Sequence, residues 1–329
     1  MNVPPKDAIR VRADAMRILV ATLLEKVGVV EADRSLLADL LVRNDLRGVF
    51  SHGSRQVATY ARDIRDGRLN PRPAPSVVKE SPALLHLDGD GGLGYFASYP
   101  LAESLARKAK AIGVAVGVTR NHGHFGAAGI YSRMAVGANL FGYVTSGHQL
   151  LLNPGEPITA AAGGSPHSFG VPAGQAPPLI LDFGAIHDVG PGDPHADEIY
   201  ALAPALVFRH LGLGAVCQSI GGFLGAVPAR PERANRRWSG ANQGSFMVFV
   251  DIAQFMPIED FQHEMDDYIA QIATLRPSPG YDEALLPGAI EAQRERAYAS
   301  EGIPVGTRHR DDLSAVAQEL GVAVPWSGV

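Results

Sequence analysis

The chain has few of the features that mark secreted and membrane proteins. It contains one cysteine, Cys217, among 329 residues, so no disulfide bond can form within it, which suits a reducing compartment. No apolar run is long enough to span a bilayer. Residues 1–12 are polar and lack the apolar segment of a secretory signal. We therefore expect a cytoplasmic protein without a membrane partner.

The chain also lacks an excess of positive charge. Its formal net charge is -5, which argues against a nucleic-acid partner, because such binding needs cations to meet the phosphates. Hydrophobic residues make up 46% of the chain and charged residues 19%, which is typical of a folded protein. A chain of this length can bury a large core, and we expect two lobes.

Apolar spacing predicts helices first and then an alternation of strands and helices. The predicted helices cover residues 11–27, 31–44, 55–65, 98–111, 127–136 and 201–227, and the tail from 257 onward is also helical. The predicted strands cover residues 83–87, 114–118, 140–145, 179–182 and 246–252, with loops at 153–178 and 228–241. The apolar helix at 201–227 is expected to be buried. This order predicts an α/β fold with a mixed or partly parallel sheet.

Two short segments combine a cation, imidazoles and glycines, as a site for a small anionic substrate requires. Residues 45–53 read DLRGVFSHG, and residues 121–126 read NHGHFG. Arg47 can form two parallel hydrogen bonds to a carboxylate. The three histidines of the two segments can transfer protons near neutral pH. The segments therefore predict a site for a small carboxylate.

The residues of the first segment also have alternative interpretations. Arg47 can equally form a surface salt bridge, but its place beyond a helix end favours a functional role. Ser51 and His52 suggest a nucleophile and its base. However, the chain has no G-x-S-x-G elbow, and we expect the side chains of two adjacent residues to diverge. Hydrogen bonding to the substrate is therefore the better prediction for both residues.

A metal site is the alternative for the second segment. His122 and His124 lie close together, but a zinc site needs further ligands, and the sequence has neither a cysteine pair nor an H-E-x-x-H motif. We therefore predict no metal and expect one of the two histidines to act as an acid or base. The remaining histidines, such as His263 and His309, are expected at the surface.

A glycine-rich turn at residues 89–94 fits the pattern G-x-G-x-x-G between a predicted strand and a predicted helix. That context is the one a dinucleotide-binding turn requires. The next strand ends in Thr119 and Arg120, which leaves no acidic residue to bind a ribose, although Arg120 can meet a 2′-phosphate. A plain tight turn is the alternative.

The segments together resemble the malate/L-lactate dehydrogenase family that is unrelated to the Rossmann lactate dehydrogenases. Its members include ureidoglycolate and sulfolactate dehydrogenases and piperideine-2-carboxylate reductase. The specific matches lie in the first half of the chain, at residues 45–53, 67–71, 88–94, 121–129 and 131–135. The resemblance extends more weakly over nearly all of the remaining sequence.

The resemblance implies a non-Rossmann α/β fold, a homodimer, and hydride transfer between NAD or NADP and a 2-oxo acid or cyclic imine. The family's catalytic histidine falls on His124, while its turn at residues 89–94 does not hold the cofactor. The predicted substrate-binding residues are Arg47, Ser51, His52, Tyr60 and His122. We expect residues 1–120 with 255–329 to form a helical substrate and dimerisation domain, and residues 121–254 to form a shortened cofactor-type domain. The apolar N-terminal and C-terminal helices are the expected dimer contacts.

The second half departs from the family pattern where the family grips its nicotinamide cofactor. The family's Gly-Thr-Asn-Pro becomes GGSP at 163–166, its Asp-Met-Ala-Thr-Ser becomes DFGAI at 182–186, and Ala289 replaces an acid. The lysine of its Gly-Gly-x-Lys-Gly loop is absent, and Arg209 or His210 lies nearest to its position. The candidate cofactor contacts are Ser146, Ser165, Asp182, Gly184 and Arg209. Each lost contact can cost about 1–3 kcal/mol.

Two hypotheses follow from this mixture of matches and departures. The first is a divergent NAD(P)-dependent oxidoreductase that uses His124 as its acid or base. The second is an isomerase, lyase or cyclase that keeps the substrate residues, has lost nicotinamide binding and uses His124 for proton transfer. A non-catalytic binding protein is a third alternative, but it would not need titratable groups at these positions.

Overall fold

The computed structural model describes residues 3–187, 189 and 193–326. The chain forms two units, a helical unit of Met1–Pro73 with Gly288–Val329 and a sheet unit of Ala74–Pro287. Each unit has its own core.

The helical unit contains five helices and a small two-stranded sheet within its described residues. These elements are β1 (Ile9–Val11), α1 (Ala13–Lys26), α2 (Glu31–Leu46), α3 (Val57–Arg65), α9 (Ala289–Glu301), β9 (Ile303–Val305) and α10 (Thr307–Leu320). The buried residues of α1 are Met16, Leu19, Val20, Leu23 and Leu24. Their spacing of three and four residues places them on one face of the helix, which buries apolar surface against its neighbours. The helices predicted at 11–27, 31–44 and 55–65 are confirmed.

The sheet unit is built on a seven-stranded mixed sheet. Its strands are β2 (Ser76–Ser81), β3 (Leu84–Asp88), β4 (Val114–His122), β5 (Leu140–His148), β6 (Pro166–Val171), β7 (Leu179–Gly184) and β8 (Gln243–Asp251). They are arranged in the order β2-β3-β4-β8-β5-β6-β7. The pair β3 and β4 is parallel and every other pair is antiparallel. The predicted mixed α/β fold is confirmed.

Five helices accompany this sheet among the described residues. They are α4 (Tyr95–Ile112), α5 (Gly129–Gly137), α6 (Ala196–Leu202), α7 (Pro204–Cys217) and α8 (Ile258–Ile272). A π-helical turn, Gln218–Phe223, continues α7. Strand β3, helix α4 and strand β4 form the β-α-β unit that the alternation predicts.

The structure divides the chain at different positions from the predicted ones. Residues 74–120 were assigned to the helical domain, but β2, β3 and β4 belong to the same hydrogen-bonded sheet as β8. Residues 255–287 also lie in the sheet unit. There, Asp266 of α8 accepts hydrogen bonds from the backbone nitrogens of Gly174, Gln175 and Ala176.

The segment predicted as a buried helix at 201–227 is mostly exposed. Only Val207, Gly214 and Cys217 of α7 are buried. A helix that is apolar on every side gives no sequence signal for the side that faces the core, so the prediction of burial was wrong. Strand β6 was missed because it lies within a Gly- and Pro-rich stretch that reads as a loop.

The apolar segment containing α6 and α7 also bears on membrane insertion. Within the described ranges, no single helix is long and apolar enough to cross a membrane. By length and composition alone, α6 passes that test together with α7 and its π-helical turn, although the pair is bent by 114°.

Candidate active site

The segment of residues 45–53 forms a tight loop after helix α2. The backbone leaves the helix through Gly48, whose φ of 75° is in the left-handed region that favours glycine. Two hydrogen bonds fix the loop: Asn44 Nδ2 donates to the carbonyl oxygen of His52 at 2.9 Å, and Gln56 Nε2 donates to that of Ser51 at 2.6 Å. The loop is therefore held by side chains from both of its ends.

A buried carboxylate lies beneath this loop. Asp45 is fully buried, and its Oδ2 accepts a hydrogen bond from the backbone nitrogen of Ser54 at 3.0 Å. Its Oδ1 has no hydrogen-bond partner among the described residues, and a side chain at Gly53 would overlap it. Burial raises the pKa of Asp45 to about 7, although hydrogen bonds from Ser54 act in the opposite direction.

The same loop reaches a second buried group through Ser54. The Oγ of Ser54 lies 2.9 Å from Nε2 of His309. Burial lowers the pKa of His309 to about 4, with a further lowering contribution from Arg55. The expectation that His309 is a surface residue was wrong, because it packs against a loop more than 250 positions earlier in the chain. His263 is exposed as expected, with 75% of its side chain accessible.

The adjacent residues Ser51 and His52 form a hydrogen-bonded pair. Ser51 Oγ and His52 Nδ1 are 3.0 Å apart. The expectation that the two side chains diverge was therefore wrong. A short 3₁₀ helix, Phe50–His52, brings the side chains onto one side of the backbone. Ser51 is exposed and His52 is partly buried.

A cleft of about 600 Å³ opens beside Ser51 in the helical unit. We call it the Ser51 cleft. Its lining includes Phe50, Ser51, Arg55, Thr307, Arg308 and His309. The volume suits a small ligand. The sequence analysis did not predict Arg55, Arg308 or His309 as site residues. Arg55 lies two residues beyond the segment 45–53, and the two residues of α10 come from the far end of the chain.

Two of the predicted substrate residues in this unit have other surroundings. Arg47 presents its guanidinium fork to Glu295 of α9, with distances of 3.1 Å from Nε to Oε2 and 3.0 Å from Nη2 to Oε1. Only 14% of the Arg47 side chain is accessible. Tyr60 is buried in the core of the unit. In the structure Arg47 therefore forms a salt bridge, which was the alternative to a functional role. A substrate carboxylate would accept hydrogen bonds from the same two nitrogens of the guanidinium.

The two histidines of the second segment have different environments in the sheet unit. His122, the last residue of β4, is fully buried. Its Nδ1 lies 2.7 Å from the carbonyl oxygen of Gly123, and its Nε2 lies 2.7 Å from Thr119 Oγ1. Burial lowers the pKa of His122 to about 4. These contacts hold the ring neutral with the proton on Nδ1, because only a donor can meet a carbonyl oxygen. The contacts favour a structural role for His122 over substrate binding.

His124, two residues later, is only partly buried. Its carbonyl oxygen accepts a hydrogen bond from the backbone nitrogen of Gly94 at 3.0 Å, which ties the loop to the glycine-rich turn. After Phe125, Gly126 has a φ of 84°, and a side chain there would overlap Tyr95. Of the two histidines in this segment, His124 is therefore the one with accessible side-chain surface.

The turn at residues 89–94 is filled by the protein's own side chains. A Cβ at Gly91 would overlap the indole of Trp238, and a Cβ at Gly94 would overlap His122 and Phe125. The glycines allow close packing inside the sheet unit. This packing agrees with the expectation that the turn is not a dinucleotide cradle.

The candidate cofactor residues lie at β5, β6, β7 and α7. Ser146 and Ser165 are buried, with 6% and 2% of each residue accessible. Helix α7 covers both: Cys217 Sγ donates to the carbonyl oxygen of Ser146 at 3.1 Å, and a side chain at Gly214 would overlap Ala162, with Ser165 Oγ next to it. The hydroxyl of Ser165 donates to the carbonyl oxygen of Ala162.

The other three candidate cofactor residues are more accessible. Asp182 Oδ2 accepts a hydrogen bond at 3.1 Å from the backbone nitrogen of Gly129, the first residue of α5. Gly184 lies next to Ser165, since the backbone nitrogen of Ala185 donates to the carbonyl oxygen of Ser165 at 3.0 Å. Arg209 lies exposed on α7.

The structure therefore brings the predicted residues together in three groups. Ser51 and His52 share one loop of the helical unit. In the sheet unit, His122 ends β4 and His124 lies in the loop that follows, while Ser165, just before β6, is a neighbour of Gly184 at the end of β7. The proximity of His124 to Arg47 and Ser51 stays a prediction. No group of three or more potential metal ligands occurs among the residues described by the structure.

Comparisons with known proteins extend this assignment. The sequence matches the malate/L-lactate dehydrogenase family over residues 11–185 and 192–314. A malate dehydrogenase from Pyrococcus horikoshii is 27% identical over 347 residues, covering 95% of this chain and 96% of that protein. The solved structure of the malate dehydrogenase from that organism matches 98% of this chain and 99% of its own, with a TM-score of 0.85 and 26% identity.

Two further relatives carry different substrate names. An L-sulfolactate dehydrogenase from Methanocaldococcus jannaschii is 28% identical, covering 93% of this chain and 96% of that protein. A ureidoglycolate dehydrogenase (NAD(+)) from Escherichia coli is 24% identical, covering 90% of this chain and 93% of that protein. Because the family match runs through both units, the chain belongs to the malate/L-lactate dehydrogenase family and is an oxidoreductase.

Proposed function

We propose that the protein is a divergent NAD(P)-dependent oxidoreductase that acts on a small 2-oxo or 2-hydroxy acid, or on a cyclic imino acid, with His124 as its acid or base. The relatives are named as dehydrogenases of malate, sulfolactate and ureidoglycolate, all small acids. The observation that carries the proposal is the contrast within the motif NHGHFG. His122 is buried and held neutral, while His124 keeps accessible surface.

The acid–base role follows from the chemistry of the carbonyl group. When the carbonyl carbon of a 2-oxo acid is reduced, its oxygen gains negative charge and needs a proton. His124 would donate that proton in the reductive direction and accept it in the oxidative direction, as an imidazole acting as a general acid and base does. A bound nicotinamide would supply the hydride.

The substrate carboxylate is proposed to bind Arg47, with Ser51 and His52 as hydrogen-bonding partners. Glu295 now occupies the fork of Arg47, so a substrate carboxylate would replace one carboxylate by another of the same geometry. Such an exchange keeps the partly buried guanidinium paired and avoids the cost of an unpaired charge. In this proposal Glu295 holds the side chain of Arg47, before the substrate binds, in the orientation that the substrate carboxylate needs.

The candidate cofactor residues do not by themselves form a dinucleotide site. Ser146 and Ser165 are covered by α7, and the carboxylate of Asp182 is bonded to the start of α5. Arg209 is the one cation in this candidate set. We therefore propose that the protein binds NAD or NADP with lower affinity than a site that has a dedicated cation for the cofactor's phosphates.

A second candidate function rests on that same covering of the cofactor residues. An isomerase, lyase or cyclase would need the substrate residues and His124 for proton transfer, but no cofactor. A titration of the purified protein with NADH and NADPH, combined with turnover assays on 2-oxo acids and cyclic imines, separates the two candidates. Turnover that depends on NADH or NADPH supports the oxidoreductase, while proton exchange on a carboxylate substrate without nicotinamide supports the alternative.

We also propose that the protein acts as a cytoplasmic homodimer. The expected contacts, the N-terminal and C-terminal helices, direct most of their apolar residues into the helical unit. The larger exposed apolar surface lies on α6, on α7 and just after α7, and we call it the α7 face. Its residues are Leu202, Leu206, Phe208, Leu213, Val216, Phe223 and Leu224. Residues 203–227 include only one residue that is charged at neutral pH, Arg209. Such a surface suits the core of a subunit interface.

A further inference from the structure

The sheet unit contains a polar cavity of about 310 Å³ beyond the carboxyl ends of β3 and β4. These two strands are parallel, and ligands of α/β proteins commonly bind where the carboxyl ends of parallel strands meet. The charged residues that line it are Asp88, Arg120, Arg236 and Arg237. We call it the arginine cavity.

One side of the arginine cavity is electrically balanced. Asp88 accepts hydrogen bonds from Arg120 Nε at 2.8 Å, from Asn121 Nδ2 at 2.7 Å and from the backbone nitrogen of Asp90 at 3.0 Å. Burial acts to raise the pKa of Asp88, but these hydrogen bonds outweigh it and leave the pKa below its ordinary value. Asp88 is therefore ionised and neutralises Arg120.

The other side of the cavity carries two arginines without a carboxylate. Neither Arg236 nor Arg237 forms an ion pair within the described part of the chain. Arg236 Nη2 donates to Gln149 Oε1 at 3.0 Å, and the guanidinium of Arg237 lies 5.2 Å from the ring centre of Trp238. Burial lowers the pKa of Arg236, whereas a carboxylate partner would raise it. A partly buried cation in this state is stabilised when an anion joins it.

The two arginines are held in place by packing and hydrogen bonds. Trp238 packs against Gly91, where only glycine leaves room for the indole. Gln149 also donates from Nε2 to the carbonyl oxygen of Pro228 at 2.6 Å, so it ties the start of the arginine-rich segment to the end of β5. The guanidinium groups are thus presented by an anchored segment, which lowers the ordering cost of binding an anion.

We propose that the arginine cavity binds a phosphate group of a small molecule. Three guanidiniums face one carboxylate, so the lining carries an uncompensated charge of about two units. Asn235 and Gln243 also line the cavity and add amide donors. Asn121 lines the cavity near the end of β4 and precedes His124 by three residues, so a ligand in this cavity adjoins the loop that carries the proposed acid–base residue.

The phosphate has two possible sources, the pyrophosphate of a nicotinamide dinucleotide or a separate phosphorylated small molecule. The site itself does not depend on the proposed oxidoreductase activity, because inorganic pyrophosphate alone can probe it. If the dinucleotide is the source, the arginine cavity supplies two phosphate-binding cations, Arg236 and Arg237, in addition to Arg209, the one cation among the candidate cofactor residues.

The test is calorimetric titration of the full-length protein with pyrophosphate. Three proteins are compared: the unmodified chain, the double variant Arg236→Gln with Arg237→Gln, and the control Arg233→Gln. Arg233 is exposed, belongs to the same segment and does not line the cavity. We expect the unmodified chain and the control to bind pyrophosphate equally well. The double variant should bind at least about tenfold more weakly, because it loses two charge-assisted contacts.

Two additional measurements keep this result unambiguous. Circular dichroism and thermal melting establish that the double variant is folded, and the single variant Arg236→Lys should show an intermediate loss, since it keeps the charge and loses the fork. No binding of pyrophosphate at millimolar concentration, or equal affinity in the double variant and the control, would overturn the proposal.

Competition then identifies the source of the phosphate. If NADH or NADPH displaces pyrophosphate and loses affinity in the double variant, the cavity holds the dinucleotide's phosphates. If pyrophosphate binding is lost in the double variant while NADH and NADPH binding is unchanged, the cavity serves a separate phosphorylated ligand. Either result supports the phosphate site, and turnover is not needed to distinguish them.

Discussion

The Ser51 loop of the helical unit and the candidate cofactor residues of the sheet unit both carry serines at predicted ligand positions, yet their surroundings differ. Ser51 is exposed, is hydrogen-bonded to His52 and lines a cleft of about 600 Å³. Ser146 and Ser165 are buried beneath α7. The region that keeps the family motif has an accessible hydroxyl, and the region that departs from the motif has turned its hydroxyls inward.

The difference is the basis of our proposal that this family member keeps its substrate-binding residues and has an altered cofactor site. Helix α7 is apolar and glycine-containing, and Gly214 lets its backbone approach Ser165 closely. Such packing stabilises the sheet unit through buried contacts. It also removes the polar surface that a cofactor would need at those positions. The comparison therefore predicts that substrate binding follows the family pattern and that cofactor binding departs from it.

The largest expected effect is on His124. Replacement by Asn should lower turnover on the true substrate by about 10²–10⁴-fold, because proton transfer to or from the reacting oxygen would be lost. His263→Asn, at an exposed position, is the matched control and should leave turnover unchanged. Steady-state kinetics of both variants provide the comparison. Near-normal turnover in His124→Asn would show that the motif match does not identify the acid–base residue.

The next effect concerns Arg47. Arg47→Lys keeps the charge and loses the planar fork, so we expect substrate affinity to fall by roughly tenfold or more. Arg62→Lys makes the same change in an exposed ion pair with Glu319 and should have little effect. The initial rate, measured as a function of substrate concentration, compares the two variants. If the two substitutions behave alike, the bond to Glu295 is the whole role of Arg47.

Asp45 links stability to pH in the region that keeps the motif. Folding raises the pKa of this carboxyl from 3.8 to about 7. The folded state therefore holds a proton that the unfolded chain has released, and this group makes the free energy of unfolding fall as the pH rises from about 4 to about 7. Over this pH range the contribution of Asp45 to the free energy of unfolding falls by a few kcal/mol, since each unit of pKa shift corresponds to about 1.4 kcal/mol.

The variant Asp45→Asn removes that titration. Two buried histidines oppose the effect of Asp45 on stability. Folding lowers the pKa values of His122 and His309 to about 4. Because unfolding lets both take up protons below about pH 6.5, they make the free energy of unfolding rise with pH in the range where Asp45 makes it fall. Urea unfolding at several pH values should therefore show the variant gaining stability relative to the unmodified chain as the pH rises from 4 to 7, because only the unmodified chain loses the proton on Asp45. Parallel stability curves for the two proteins would mean that Asp45 stays charged in the fold.

The smallest expected change concerns subunit association through the α7 face. Phe208 is 72% exposed there, and Phe208→Glu should shift a homodimer towards monomer because it places a charge in an apolar contact. Ile18, 67% exposed on α1, supplies the control Ile18→Glu at the location that the sequence indicated. Light scattering at micromolar concentration measures both. Dissociation by Ile18→Glu alone would place the contact on the N-terminal helices instead, and a monomeric unmodified chain would refute the dimer.

The sequence predicted those parts of the fold that have local patterns. Helix α1 follows from apolar spacing, and the unit from β3 to β4 follows from alternation. Strand β6 did not follow, because the polar residues His167 and Ser168 are buried on it and remove the alternating pattern. Which side of α7 is buried depends on the elements that pack against it. Because α7 is apolar on every side, the spacing of its residues does not reveal that side.

The candidate site shows the same limit. The motifs predicted Ser51, His52 and His124 as site residues, since chemistry concentrates unusual residues in short segments. They did not reveal that His309 bonds to Ser54, or that Arg308 faces the Ser51 cleft, because these contacts join distant segments. The family resemblance assigned the acid–base role to His124, but the motif did not reveal that His122 is fully buried, because burial depends on the whole sheet. The arginine cavity likewise joins residues near 120 with residues near 236.

Calorimetric titration of the unmodified chain with NADH and NADPH tests the central claim most directly. The claim is that this family member keeps the substrate side of its site and has reshaped the cofactor side, so that Ser146 and Ser165 no longer meet the cofactor. We predict dissociation constants well above the micromolar range for both cofactors. Micromolar binding that is weakened by Ser165→Ala, with turnover of a 2-oxo acid or a cyclic imine, would contradict the account and restore the ordinary cofactor site.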